Sequence, residues 1–262
     1  MLFQEQVRKV KQAAPKLAAT TNEQRNAALT AVREALLQHQ AEIFEANKQD
    51  LAQAEADGVS GPVRKRLKFD EGKLRDVTAG ISDLIKMEDP LFQTQFAREL
   101  DEGLVLKRVT CPIGVIGVIF EARPDALVQI SALCIKSGNC VILKGGREAL
   151  RSNKKLFDII HEAIIDAGLP ADSMMQLEAR SEINELLECH ESVDLLIPRG
   201  SNAFVQYIMN HTKIPVMGHA DGICHIYVDK DADLAKAVPI IVDAKTQYVS
   251  ACNTVETILI HE

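Results

Sequence analysis

From residue 115 onward, short apolar runs alternate with stretches of helical periodicity, and no other feature narrows the fold so far. The runs lie at 115–120, 140–143, 174–177, 193–197 and 223–228. Helical patterns follow them from about 124, over about 148–167, near 182–190, near 201–211 and over roughly 232–247. Runs this short that are largely apolar, rather than alternating, predict strands buried on both faces. Strand, helix and strand in succession impose right-handed crossovers and a parallel sheet. The fold class read from this pattern is α/β, with helices packed on a doubly wound, mostly parallel sheet.

The first ninety residues read differently. Leu29, Val32, Leu36, Leu37, Ile43 and Phe44 recur near helical spacing behind a capping box of Thr21 and Gln24. Gly58 ends that stretch, Gly61-Pro62 breaks the chain again, and Asp70 opens another helix that Asp89-Pro90 closes. The basic cluster Arg64, Lys65, Arg66 and Lys68 reads as a solvated helix face. Residues 92–99 and 104–111 form a predicted hairpin around Asp101-Glu102-Gly103.

Composition removes several function classes. At 47% hydrophobic and 26% charged the chain is an ordinary globular one, not a disordered tail. Its 30 basic against 37 acidic residues, with eight Phe, three Tyr and no Trp, argue against nucleic acid, which is held by phosphate neutralisation and base stacking. No apolar run reaches a membrane-spanning length, and the start, MLFQEQVRKVKQ, lacks signal-peptide order. The six cysteines form no CxxC pair and no finger-like spacing, which predicts free thiols in a reducing cytosol. Cys134, Cys140 and Cys224 sit in apolar contexts and read as buried; Cys111 and Cys189 have no distinctive setting. Cys252 differs, because it lies at an element junction beside small and polar residues, where a thiol can meet substrate.

Ligands of open parallel sheets bind beyond the carboxyl ends of the strands. Three predicted strand-to-helix turns carry a cation there: Glu121-Ala122-Arg123-Pro124-Asp125, Lys144-Gly145-Gly146-Arg147-Glu148 and Pro198-Arg199-Gly200-Ser201-Asn202. Glycines let amides converge on an anion, and each following helix would add its partial positive charge. The spacing is not GxGxxG. The turns are either plain connections or one edge that takes a polyanion such as a dinucleotide. Gly114 and Gly117, before and inside a strand, fit close packing as well as function.

The segments PIGVIGVIFEARPDA (112–126), KSGNCVILKGGREA (136–149), DLLIPRGSN (194–202), IPVMGHADGICHIYVD (214–229) and ACNTVETILIHE (251–262) closely resemble the gamma-glutamyl phosphate reductase family. That family is the proline-biosynthetic branch of the aldehyde dehydrogenase superfamily. The resemblance implies NADPH-dependent reduction of L-glutamate 5-phosphate to the 5-semialdehyde with release of phosphate, on a Rossmann-type cofactor domain. It implies Cys252 as the nucleophile. It implies Lys144, Gly145, Gly146 and Arg147 at the adenosine ribose, a cation pair suiting NADP over NAD, and Arg199, Gly200 and Ser201 near the pyrophosphate. Arg123 would bind the leaving phosphate or the oxyanion, or else brace its own turn. His219 or Asp221 would assist proton transfer, or be turn residues, in a stretch where oxidative relatives place a Glu that this chain lacks.

The resemblance further implies a cytoplasmic protein with glutamyl phosphate as substrate, glutamate 5-kinase as a possible partner and a homo-oligomer at full length. Residues 1–247 would form the NADP(H)-binding domain (leader 1–90, hairpin 92–111, sheet 112–247). Residues 248–262 would begin a catalytic domain that family chains continue well past the cysteine motif. Two other readings stay open: a non-catalytic nucleotide-binding or subunit-interaction module, and NAD-dependent aldehyde oxidation, which the missing Glu and Arg123 disfavour.

Overall fold

The structure is a computed structural model and describes residues 3–179, 181–218, 222–247, 249 and 253–262. Five helices come first: α1 (Phe3–Ala18), α2 (Asn22–Gln38), α3 (Gln40–Ala56), α4 (Gly61–Leu67) and α5 (Glu71–Lys86). The capping box forms: Thr21 Oγ1 accepts from the Gln24 amide, and Gln24 Oε1 accepts from the Thr21 amide at 2.8 Å. The apolar stretch divides between α2 and α3 at His39, and Leu37 turns outward. Gly58 takes the left-handed φ of +69° that stops α3. Asp70 caps α5, its carboxylate accepting from the Lys73 amide at 3.1 Å.

The hairpin follows as antiparallel β1 (Thr94–Asp101) and β2 (Leu104–Val109), exposed along both strands. The sheet region then runs β3 (Val115–Ile119), α6 (Pro124–Lys136), β4 (Cys140–Lys144), a 3-10 turn (Arg147–Ala149), α7 (Leu150–Asp166), β5 (Met174–Leu177), α8 (Ser181–Leu187), β6 (Leu195–Pro198) and α9 (Asn202–Asn210). All pairings are parallel, in the order β5-β4-β3-β6. The chain therefore builds outward from β3 through β4 to β5, then returns to the other side of β3 with β6. Every residue of β3 and β4 is buried, as their unbroken apolar runs require. Helices α6 and α7 pack together on one face; α1 contacts β3, β4, β5 and α8. A further layer, α2, α3 and α5, covers α6 and α7, so the leader and the sheet share one core.

Both early glycines serve packing. A Cβ on Gly117 would stand 2.5 Å from Leu196 Cδ2 of the neighbouring strand. One on Gly114, whose φ is +124°, would collide at 2.1 Å with the Asp194 carboxylate. That carboxylate accepts from the Val115 amide at 2.8 Å and pairs with Lys11 at 2.6 Å.

The strand read at 223–228 does not extend this sheet. Leu196 already bonds the segment beyond α9, through its amide to Pro215 O at 2.9 Å and its carbonyl to Met217 N at 2.8 Å. With that edge of β6 occupied, β7 (Cys224–Val228) pairs instead with β8 (Val255–Ile260), in parallel, across α10 (Leu234–Thr246). The boundary expected between 247 and 248 thus falls inside one strand–helix–strand crossover, and no residue of α10 is buried. Cys134 and Cys140 are buried, and loss of hydration pushes both thiols up to about 12. Cys224 is only half-buried, because β7 lies outside the main sheet, whereas Cys189 is buried at the end of α8.

Candidate functional site

Strand register brings the three cationic turns level. Ile119 stands beside Lys144 on β4 and beside Pro198 on β6. Two backbone bonds join the turns themselves: Phe120 N to Lys144 O at 2.9 Å, and Arg199 N to Ile119 O at 2.7 Å. The strand order reverses between β3 and β6, so the crevice where open sheets take ligands lies among these turns.

In the first turn, Ala122 adopts a left-handed φ of +33°, unusual for a residue with a Cβ. Its amide donates to Glu148 Oε1 at 2.6 Å, so a residue of the second turn fixes the strained one. Arg123 is the N-cap residue of α6 and makes no side-chain cap. Its Nη2 is 3.2 Å from Asp125 Oδ2, a carboxylate 4% exposed that Lys73 also reaches at 3.2 Å. Arg123 thus braces its turn, while half of its side chain remains in solvent, with donors to spare.

The second turn is a tight cradle, with the Asn153 and Glu148 side chains already against its glycines. A Cβ on Gly145 would meet Asn153 Nδ2 at 2.1 Å, and one on Gly146 would meet Glu148 Oε1 at 2.1 Å. Lys144 is buried, and its Nζ donates to Gly145 O at 2.7 Å. Asn153, 1% exposed in the first turn of α7, has its Oδ1 buried without a partner among the described residues. A buried carbonyl oxygen left unbonded is costly, and a ligand hydroxyl beside Gly145 would satisfy it.

One expectation needs correction here. The start of α7 is not available to an anion, because the buried Asp50 carboxylate of α3 already accepts from the Ser152 amide at 2.7 Å and the Arg151 amide at 3.2 Å. The amides of Arg151 and Ser152 are therefore already taken.

In the third turn Arg199 is exposed, and Ser201 caps α9 by accepting from the Phe204 amide at 3.3 Å. Gly200 keeps the backbone close to Glu121: an added Cβ would lie 3.1 Å from its Oε1. Burial and the neighbouring Glu148 carboxylate push the Glu121 carboxyl above its ordinary range, and Arg66 opposes them.

The structure therefore brings Arg123, Lys144–Arg147 and Arg199–Ser201 to one crevice. Cys252 and His219, with Asp221, lie outside the described residues. Glu148, Asn153 and Asp50 also shape the crevice, and sequence reasoning assigned them nothing. Glu148 stood inside the motif already singled out. Asn153 and Asp50 gave no signal short of the tertiary contact. Two surface cavities, of about 330 and 290 Å³, lie elsewhere, between α1 and segment 168–176, and neither is lined by a cysteine, serine or histidine.

An orphaned buried acceptor and cations on three neighbouring turns at one sheet edge fit a dinucleotide. The family model for aldehyde dehydrogenases matches residues 3–262. The chain belongs to the aldehyde dehydrogenase family. It is 55% identical over 262 residues to a gamma-glutamyl phosphate reductase of Pelotomaculum thermopropionicum, covering 100% of this chain and 60% of that one. Among solved aldehyde dehydrogenase relatives, the gamma-glutamyl phosphate reductase of Thermotoga maritima superposes with a TM-score of 0.95 at 35% identity, over 99% of this chain and 63% of that one. The Saccharomyces cerevisiae reductase gives 0.79 at 43% identity, over 100% and 66%. An acetylating aldehyde dehydrogenase of Geobacillus thermoglucosidasius, 18% identical with a TM-score of 0.65 over 99% of this chain and 55% of that one, shares the fold. The chain thus spans about 60% of the length of its curated relatives.

Proposed function

We propose that this chain supplies the dinucleotide site and the nucleophile of an NADPH-dependent gamma-glutamyl phosphate reductase. The observation that carries the reading is the crevice at the reversal of strand order, with its glycine cradle and three cationic turns, in a chain 55% identical throughout to a gamma-glutamyl phosphate reductase.

In this reading the Cys252 thiolate attacks the acyl phosphate carbonyl; the carbon–sulfur bond forms, the carbon–oxygen bond to phosphate breaks, and phosphate leaves with its electron pair. The nicotinamide supplies a hydride when bound. The resulting thiohemiacetal oxyanion collapses to the aldehyde and returns the thiolate. A thioester keeps its carbonyl electrophilic enough for hydride, which a carboxylate does not. The exposed half of Arg123 faces the role of holding the departing phosphate or the oxyanion, while its ion pair with Asp125 orients it. Lys144 and Arg147 hold the adenosine end, Arg199 to Ser201 the pyrophosphate, and His219 relays a proton. Assembly into a homo-oligomer and transfer from glutamate 5-kinase belong to the same reading.

The test is the reverse reaction: NADPH formation from glutamate 5-semialdehyde, phosphate and NADP, with Cys252→Ala beside the unaltered chain. Phosphate-dependent turnover lost in the variant supports the reading. Phosphate-independent oxidation with NAD would replace it with aldehyde oxidation, and no protection from heating by any dinucleotide would remove the cofactor site.

A further inference from the structure

Glu148 belongs to the second turn by sequence, but its carboxylate acts on the first. It lies against the Cα of Gly146, where an added Cβ would stand 2.1 Å from Oε1 and 2.7 Å from Oε2. From there Oε1 accepts from the Ala122 amide at 2.6 Å. The backbone beneath Glu148 is itself fixed. Ala149, the next residue, is fully buried against Leu67 of α4 and Ala54 of α3, and its amide donates to Gly146 O at 3.2 Å.

Ala122 needs such a partner. It is 5% exposed, and its φ of +33° is one that a residue with a Cβ keeps only where its surroundings impose it. Without Glu148 its amide would be a buried donor with no acceptor, and the turn would gain by relaxing. The residue that follows is Arg123, so the backbone angle at Ala122 sets the direction in which the arginine leaves the chain. Asp125, at 3.2 Å and shared with Lys73, steadies the guanidinium at its far end. Glu148 fixes the near end. A misplacement of about 1 Å is enough to cost a positioned group most of its effect.

We propose that Glu148 is a positioning residue for anion binding by Arg123: through the Ala122 amide it holds the strained turn from which the guanidinium extends. The inference rests on the reading above, in which Arg123 holds the departing phosphate or the oxyanion. Its charge and its geometry act in opposite senses, since a carboxylate near the crevice repels an anion while its acceptor oxygen places the arginine.

The experiment labels the protein with phenylglyoxal in rising inorganic phosphate and reads the peptide bearing Arg123 by mass spectrometry. Arg108, exposed on the hairpin, is the internal control. The unaltered chain is compared with Glu148→Ala and Glu148→Gln. In the unaltered chain phosphate should shield Arg123 and leave Arg108 reactive. Glu148→Ala should raise the half-shielding concentration at least about tenfold. Glu148→Gln keeps a carbonyl acceptor and drops the charge, so it should shield at the parent concentration or below. Loss of charge alone would lower that concentration in both variants. Shielding in Glu148→Ala at or below the parent concentration, or an equal rise in both variants, overturns the proposal and leaves the role of Arg123 standing. Arg123 unshielded in the unaltered chain overturns that role and the proposal with it.

Discussion

Asp50 holds Ser152 twice: one carboxylate oxygen accepts from its amide and from its hydroxyl, each at 2.7 Å. A residue of α3 thereby caps α7, a helix that begins about a hundred positions later. The bond satisfies amides that helix geometry leaves open, and it fixes the cradle of Gly145 and Gly146 relative to the helical layer.

Asp50→Ala strands those donors in a buried place. The cost should be about 2–4 kcal/mol, the range for removing a buried charge-assisted partner. At roughly 2–4 °C per kcal/mol for a chain of this size, melting should fall on the order of 5–15 °C. Asp50→Asn, which keeps one acceptor and the shape, should lose about half as much. Thermal denaturation followed by circular dichroism measures both, and a fall under about 2 °C in Asp50→Ala would mean the cap carries no stability.

Gly146→Ala separates ligand binding from folding. The φ of Gly146 is −65°, which alanine adopts freely, so its effect is the added methyl against Glu148 Oε1 at 2.1 Å. The carboxylate must leave, and the Ala122 amide loses its acceptor. NADPH should bind about tenfold more weakly, with melting lowered by only about 1 kcal/mol equivalent. Isothermal titration that finds unchanged affinity would place the nucleotide elsewhere.

Glu121 gives a pH signature. A carboxyl whose folded pKa stands above its unfolded value, about 4.3, favours the fold fully below that value, and the contribution is lost as pH rises through the folded pKa. Burial and Glu148 raise Glu121 in this way. Glu121→Gln should therefore melt higher than the parent at pH 7 and equally at pH 4. It should also tighten NADPH a fewfold at pH 7, because a negative charge has left the crevice. An equal change in melting at both pH values would assign the effect to packing.

Thiol labelling tests the core. Cys111 is exposed, whereas Cys134 and Cys140 are buried with pKa values pushed up to about 12, so neither has appreciable thiolate at pH 8. An aromatic disulfide reagent should label Cys111 within minutes, and Cys134 and Cys140 only as fast as the chain unfolds. Mass spectrometry of the labelled peptides reads the order directly. Rapid native labelling of Cys140 would contradict its place in β4.

Strands β3 and β4 were legible because burial on both faces writes an unbroken apolar run, and each differs from its reading by one residue; Met174–Leu177 forms as read although it carries Gln176 and its middle is half-buried. Caps were legible because they are local, as at Thr21 and Asp70. Partner choice between strands was not. The pattern at 223–228 says strand, but only tertiary structure says that Pro215 and Met217 already hold the edge of β6. The same limit applies in the crevice. Its glycines and cations stand in recognisable turns, while Asp50 reaches the start of α7 from a helix whose sequence carries no mark of the encounter. A long-range carboxylate cap even inverted the local expectation for α7, where a helix start alone suggests an anion site.

The internal cap on α7 has a consequence for how coenzyme preference can change over evolutionary time. In sheets where helix amides grip the phosphate, altering the coenzyme disturbs the same bonds that begin the helix. Here Asp50 closes the amides of Arg151 and Ser152, so in the proposed function the side chains of the turn stand on an already finished helix start. If Arg147 holds the coenzyme as proposed, its exchange for a neutral or acidic residue would redirect the choice between phosphorylated and unphosphorylated coenzyme at little expense to folding, and lineages could drift between the two by single surface replacements.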